Sequence, residues 1–334
     1  MPFTTLFTTS LVLGSFLAIS STHWVFIWLG LELNLMSFIP LLVTSNKFNE
    51  TEASMKYFLA QALGSGLILL GSMSLLTNQH LLWSTNFMNL MLFLGLLTKL
   101  GLPPCHFWFP TVMSMISWPM CIILTTWQKL VPIMLLAYVM SPQMNLFILL
   151  IISLSSLLGG LGGLNQTQLR PLLAYSSIGH MSWMMAASTS SYSTMMIYYI
   201  SYVMISAPLM MLFWYSNSLS NLTSSKFSYN STTHAPSLFM LILSLGGLPP
   251  FLGFYPKWMV METINPSFTI VIFITLLGSI INLYYYLTLA FINIISPPQF
   301  TLLHNKPQMK TPALIMPISA SITLGLAPLM YLLM

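Results

Sequence analysis

The chain has 334 residues, of which 56% are hydrophobic and 4% charged, and its formal net charge is +5. A soluble domain carries about 25% charged residues, so a chain with four acidic residues, all of them Glu, has too little polar surface to coat a globule of this size. Apolar runs of about 20 residues succeed one another from end to end, the pattern of a polytopic helical membrane protein; a spanning β-barrel would show shorter segments of alternating polarity.

No basic residue precedes Lys47, so the first apolar run reads as a retained helix and not as a secretory or transit segment. Clusters of Gly, Pro, Asn, Ser and Thr divide the chain into helical runs. Eleven helices are expected, near 3–20, 23–44, 55–76, 87–116, 117–139, 145–164, 169–189, 192–216, 236–265, 267–295 and 312–333. The fourth and ninth are too long for one straight span, and each contains Gly-Leu-Pro-Pro, at 101–104 in KLGLPPCHFWFP and at 247–250 in LGGLPPFLGFYPK. Proline lacks a backbone donor and clashes with the preceding turn, so both read as discontinuous helices. Non-helical backbone at membrane depth is tolerated where it is buried in protein or lines a wet cavity. The two breaks therefore point to a site.

With eleven spans, the loops at 45–54, 165–168, 217–235 and 296–311 share the side of the N-terminus. Lys47, Lys56, Arg170, Lys226, Lys306 and Lys310 sit in or beside them, and the opposite loops near 77–86, 140–144 and 190–191 carry no basic residue. That asymmetry satisfies the positive-inside rule and puts the N-terminus on the negative side of the membrane. The sequons at Asn49, Asn165, Asn221 and Asn230 then face the side where glycans are not added and read as chance. Helices four and nine cross in opposite directions, as an inverted-topology repeat requires. The expected fold is all-α and antiporter-like: a single transmembrane domain with repeats at about 3–139 and 145–295 and an appended helix at about 312–333.

Five charges remain inside the expected spans: Glu32, Lys99, Lys129, Lys257 and Glu262. A charge at the centre of a membrane helix costs about 2.5–3.5 kcal/mol on insertion scales, and such residues mark ion or proton pathways. Glu262 falls near a helix end, close to an interface. A structural salt bridge from Glu32 to one lysine is the plain alternative, but three central lysines share one central glutamate. Burial disfavours the cationic form of an amine, which lets it release and regain a proton, an exchange a guanidinium does not make. All three central positions are Lys and none is Arg. A proton relay is the reading. His106, just after the first break, and His180, midway along the seventh helix, are its candidate extensions; His23, His80, His234 and His304 fall at ends or in loops. Cys105 and Cys121 read as buried thiols acting as small apolar residues. No metal-ligand spacing, nucleotide-binding fingerprint or basic stripe for nucleic acid is present.

Five stretches carry a family resemblance: WLGLELNLMSFIPLL around Glu32, KLGLPPCHFWFPTVM from Lys99, WQKLVPI around Lys129, LRPLLAYSSIGHMSWMM from Leu169, and LGGLPPFLGFYPKW ending beside Lys257. In that order they span most of the chain, which resembles the chain 2 family of NADH–ubiquinone oxidoreductase, the mitochondrially encoded antiporter-like subunits of respiratory complex I. The resemblance implies a multi-pass protein of the mitochondrial inner membrane with its N-terminus in the matrix. It implies lipids and other membrane-arm subunits as partners, further antiporter-like subunits among them. NADH, FMN, iron–sulfur clusters and ubiquinone are expected in other subunits, and no cofactor on this chain. Residue by residue, Glu32 and Lys99 match the family's charged pair, Lys129 its central-axis lysine, Lys257 the lysine of the second broken helix, and His106 a histidine of the first. Pro171 departs from the pattern, since a second basic residue often succeeds the arginine. The mechanism this implies has Glu32 acting on Lys99, with the change passing to Lys129 and toward Lys257. A cation/proton antiporter is the rival, but a Na⁺ site needs oxygen ligands and Glu32 is the only central carboxylate. A purely structural scaffold leaves three midplane lysines unexplained.

Overall fold

The computed structural model describes residues 2–44, 47–76, 85–140, 145–215, 234–264 and 268–295. The helices are α1 (Pro2–Ser20), α2 (Trp24–Leu42), α3 (Phe48–Leu76), α4 (Thr85–Leu100), α5 (Trp108–Met115), α6 (Trp118–Thr125), α7 (Trp127–Val139), α8 (Asn145–Leu164), α9 (Leu169–Ser190), α10 (Tyr192–Tyr215), α11 (His234–Gly246), α12 (Phe254–Thr263) and α13 (Thr269–Ile295). No strand occurs among the described residues. Among the described residues seven helical segments are long and apolar enough to cross a membrane, α6 and α7 counting together as one, and the chain is a multi-pass membrane protein. Two shorter apolar helices are the leading halves of the broken ones, α4 and α11. The more polar α9 buries its residues almost without interruption from Leu169 to Ala187, so its serines and histidine meet protein and not lipid. The expected helix at 312–333 lies outside the described residues.

Both expected discontinuities occur. The first break separates α4 from α5 and the second separates α11 from α12. Each opens on a glycine in the left-handed region, Gly101 at φ 70° and Gly247 at φ 80°, where any other L-residue costs roughly 1–2 kcal/mol. Gly101 donates to the Thr98 carbonyl (3.2 Å) and Gly247 to the Leu243 carbonyl (3.2 Å), closing each half-helix as a C-terminal cap does.

Two helices differ from expectation. α3 starts at Phe48 and not near 55, because Glu50 lies in its first turn, where a carboxylate complements the helix dipole. The Lys56–Glu52 ion pair (2.7 Å) spans one turn further on. The expected helix at 117–139 bends between α6 and α7 at Thr126, whose φ and ψ are −107° and −79°. The hydroxyls of Thr125 and Thr126 turn back to the carbonyls of Cys121 (2.9 Å) and Ile122 (2.6 Å), which bends helices. Pro132 then removes a donor within α7. Lys129 is therefore not mid-helix: it sits in the first turn of α7.

The chain divides into two compact units, residues 1–154 and 155–334, with the division falling within α8. In the first, α1 packs on α2, α2 and α5 on α3, and α4 on both α3 and α7. In the second, α9 packs on α10, α12 and α13, while α11 packs on α10 and α13. Large apolar side chains such as Leu13, Leu63, Leu70 and Ile280 face outward, while Lys99, Lys129, Lys257, His106 and His180 are buried. Apolar surface costs nothing against lipid, and the expense of an intramembrane charge confines it to the bundle interior.

Candidate functional site

In the first unit, Lys99 ends α4 and Lys129 begins α7, and one cavity has both on its wall together with Tyr57, Gln61, Trp108, Phe109 and Gln128. Its volume, as open to the centre of a water molecule, is about 10 Å³, room for about one water. The break makes this wall possible. Because the chain stops being helical at Leu100, α5 re-enters at an angle that brings Trp108 and Phe109 to the cavity, and the Trp108 indole donates to the Thr98 carbonyl (3.0 Å). Gly64 on α3 lets the Lys99 stem lie against that helix, since a Cβ there would meet Lys99 Cγ at 3.1 Å. The Lys129 ammonium stands over the Phe109 ring, 4.2 Å from its centroid, a cation–π contact worth about 0.5–2 kcal/mol to the charged form. Phe109→Leu is expected to displace the pH dependence of proton translocation and Phe109→Tyr to preserve it, read in the assembled complex.

A row of polar side chains crosses the same space. Gln61 donates to the Lys99 carbonyl (3.2 Å). The Tyr57 hydroxyl donates to Gln128 (3.5 Å), and Gln128 donates to the Asn34 side-chain oxygen (3.0 Å). Tyr57 is held edge-on between Phe38 and Trp108, at centroid distances of 5.2 and 5.8 Å. Sequence reasoning missed these residues because none of them is charged. The available signal was an amide at positions 34, 61 and 128 in otherwise apolar runs. Gln128→Leu leaves a buried acceptor on Asn34 unsatisfied and is expected to cost about 1–3 kcal/mol, read as earlier thermal inactivation of the complex.

Glu32 is half-buried on α2 and interacts electrostatically with both Lys99 and Tyr57. Among the described residues no direct ion pair joins it to Lys99, and its Oε2 is buried without a hydrogen-bond partner. Among the described residues the structural salt bridge weighed from sequence is not seen. A carboxylate held off contact keeps its influence on the lysine adjustable. His106 is buried just past the first break, with its Nδ1 unpartnered and its ring 4.1 Å from that of Phe107. Cys121 is buried beside the Met113 and Ile116 carbonyls, but Cys105 is exposed, contrary to expectation. The break turns Cys105 and Pro104 outward while His106 and Leu102 face in. Glu262, at the far end of α12, is exposed.

In the second unit Lys257 lies in the first turns of α12, buried, and its ammonium donates to the Gly246 carbonyl (2.9 Å) at the end of α11. The lysine thus reaches back across the break and occupies a carbonyl that the helix end leaves open. His180 on α9 is hydrogen-bonded through Nδ1 to the Tyr198 hydroxyl of α10 (3.1 Å). The sequence-derived residues therefore separate. Glu32, Lys99, Lys129 and His106 fall in the first unit, and His180 and Lys257 in the second.

Discontinuous helices and buried lysines in a helical bundle define an antiporter-like membrane subunit. The family described as NADH:quinone oxidoreductase/Mrp antiporter, transmembrane, matches residues 21–282. NADH-ubiquinone oxidoreductase chain 2 of Lumbricus terrestris is 43% identical over 326 residues, covering 97% of this chain and 96% of that protein. The protein of the same name from Locusta migratoria is 37% identical over 304 residues, covering 90% and 86%. Among solved structures, a chain of respiratory complex I from Thermus thermophilus with bound aureothin superposes with a TM-score of 0.84 at 24% identity, covering 97% of this chain and 78% of that one. A chain of the Mrp complex from Dietzia sp. gives 0.79 at 15% identity, covering 98% and 75%. At those identities the two structures share the fold. The chain belongs to the NADH-ubiquinone oxidoreductase chain 2 family.

Proposed function

We propose that this chain is a proton-translocating membrane subunit of NADH:ubiquinone oxidoreductase, respiratory complex I, in the mitochondrial inner membrane with its N-terminus in the matrix. The observation that carries the reading is the water-sized cavity with Lys99 and Lys129 on one wall, polar groups around it and Glu32 acting on Lys99 from a distance. An amine beside a water can pass a proton to it and regain one, and Glu32 biases which state Lys99 holds. Lys257, braced on the second break, has the corresponding part in the second unit, and the two broken helices belong to inverted repeats. Oxidation of NADH, with FMN and iron–sulfur clusters, and reduction of ubiquinone occur in other subunits. The partners are lipids and the other membrane-arm subunits, further antiporter-like ones included.

The test is Glu32→Gln in assembled complex reconstituted into vesicles. Glutamine keeps the size of the side chain and removes the charge that acts on Lys99. Proton uptake per NADH oxidised is expected to fall clearly below that of the parent. An unchanged ratio would remove Glu32 and the coupling it carries from the mechanism. Sodium flux that survives while proton flux is lost would favour a cation/proton antiporter instead.

A further inference from the structure

We propose that Trp28 is a positioning residue for Glu32: its indole N–H, hydrogen-bonded to the carboxylate directly or through one water, draws Glu32 away from Lys99. The proposal rests on the proton-translocating reading above and gives the charge of Glu32 a second place to rest. Trp28 and Glu32 are both half-buried on α2. Among the described residues Trp28 Nε1 is a buried donor without a hydrogen-bond partner, and Glu32 Oε2 is a buried acceptor without one. An indole only donates and an ionised carboxylate only accepts, so each supplies what the other lacks. Buried indole N–H groups ordinarily find a partner, and native proteins leave few buried polar atoms unpaired.

The helix brings the two together. Residues four apart are neighbours on one helix face, and helical side chains lean toward the N-terminus, so Glu32 covers the turn that carries Trp28. Lys99 and Tyr57 lie the other way. Tyr57 shares a cavity wall with Lys99 and packs against Phe38. Tyr57 also bonds Gln128, which bonds Asn34. Phe38 and Asn34 both belong to the turns of α2 that come after Glu32. The carboxylate therefore stands between a cation on one side and an indole on the other. Glu32 acts electrostatically on Lys99 without pairing with it, and a donor on the preceding turn accounts for that separation.

The flanking residues of α2 offer no substitute. Ile27, Leu31 and Leu35 are buried on its packed side, while Val25, Leu29, Leu33 and Met36 are exposed on its outer side. Trp28 and Glu32 lie at the border between these two apolar faces. A carboxylate desolvated against apolar groups requires donors, and a hydrogen bond to an ionised acceptor is stronger than one between neutral groups. The indole does not titrate, so it holds the carboxylate without competing for the proton. A charged Lys99 pulls Glu32 toward the cavity; once Lys99 is neutral, the indole retains it. The other orphaned indole of the first unit, Trp127, belongs to α7 and adjoins Gln128 in sequence, which makes it the rival donor.

A map and three assembled variants test this. In a high-resolution map of the intact, unmodified complex, Trp28 Nε1 and Glu32 Oε2 are expected to be bonded directly or through one shared water in at least one state. A donor from another subunit on Glu32 Oε2 in every state overturns the proposal. Trp28→Phe keeps an aromatic ring and removes the N–H, and it is expected to lower NADH-driven proton uptake about twofold or more. Trp28→His returns an N–H on a smaller ring and is expected to recover part of that loss. A packing role for Trp28 predicts the reverse order, phenylalanine above histidine; that order overturns the proposal, as does parental uptake in Trp28→Phe. A loss confined to Trp127→Phe assigns the donor to α7 and overturns it as well. If Glu32→Gln lowers proton uptake and Trp28→Phe does not, this inference fails while the functional reading stands. A variant that does not assemble leaves the decision to the map.

Discussion

Complex carrying Lys129→Met is expected to assemble with its full set of subunits and to lose coupled proton translocation, by about tenfold or more, the order expected when a positioned proton-transfer group is removed. Methionine fills the space of the lysine stem and adapts to the cavity wall, so packing is preserved while the amine is lost. Lys129→Arg is the sharper member of the pair. It keeps a cation over the Phe109 ring, but a guanidinium does not give up its proton at any physiological pH. A relay predicts that arginine fails as methionine does, whereas a merely electrostatic or structural lysine predicts rescue. The comparison is made as proton uptake against NADH consumption in vesicles, with assembly monitored on native gels.

Gly253→Ala is expected to act on the fold itself. Gly253 sits at the N-terminus of α12 with φ −68° and ψ −16°, so its backbone conformation is ordinary and strain is not the issue. The place a Cβ would occupy is filled by the Ser244 carbonyl of α11. That atom is backbone inside a helix and has no rotamer by which to move away. The two halves of the second broken helix touch here, with Lys257 one turn further along α12. A methyl group must push them apart and carry Lys257 away from the Gly246 carbonyl. The expected result is a strong fall in the amount of assembled complex, to levels seen for severe overpacking of about 1–3 kcal/mol or more. Assembly at the parental level would show that the halves separate without cost.

Much of this was legible because a membrane reverses the usual meaning of residue types. Charge is costly in lipid, so Glu32, Lys99, Lys129 and Lys257 stand out without any structure. Proline pairs inside apolar runs mark both breaks for an equally local reason. What stayed hidden depended on neighbours distant in sequence. Gln61 and Gln128 are separated by a long stretch of chain yet meet across one cavity. Their amides are not titratable, so nothing local raises them above other polar residues. The placement of Lys129 at a kink comes from the hydroxyls of Thr125 and Thr126 bonding backward, an effect of rotamers and not of composition. Cys105 was misread for a similar reason, because an apolar neighbourhood in sequence says little about which way a broken backbone turns.

We infer that Lys99 and Lys129 exchange protons through water in the cavity they share. A high-resolution map of the intact complex tests it most directly. The expected result is an ordered water between the two ammonium groups, bonded to polar atoms of the wall such as those of Gln61, Tyr57 or Gln128. A closed, dry cavity with apolar side chains packed between the two lysines in every state of the complex would contradict it.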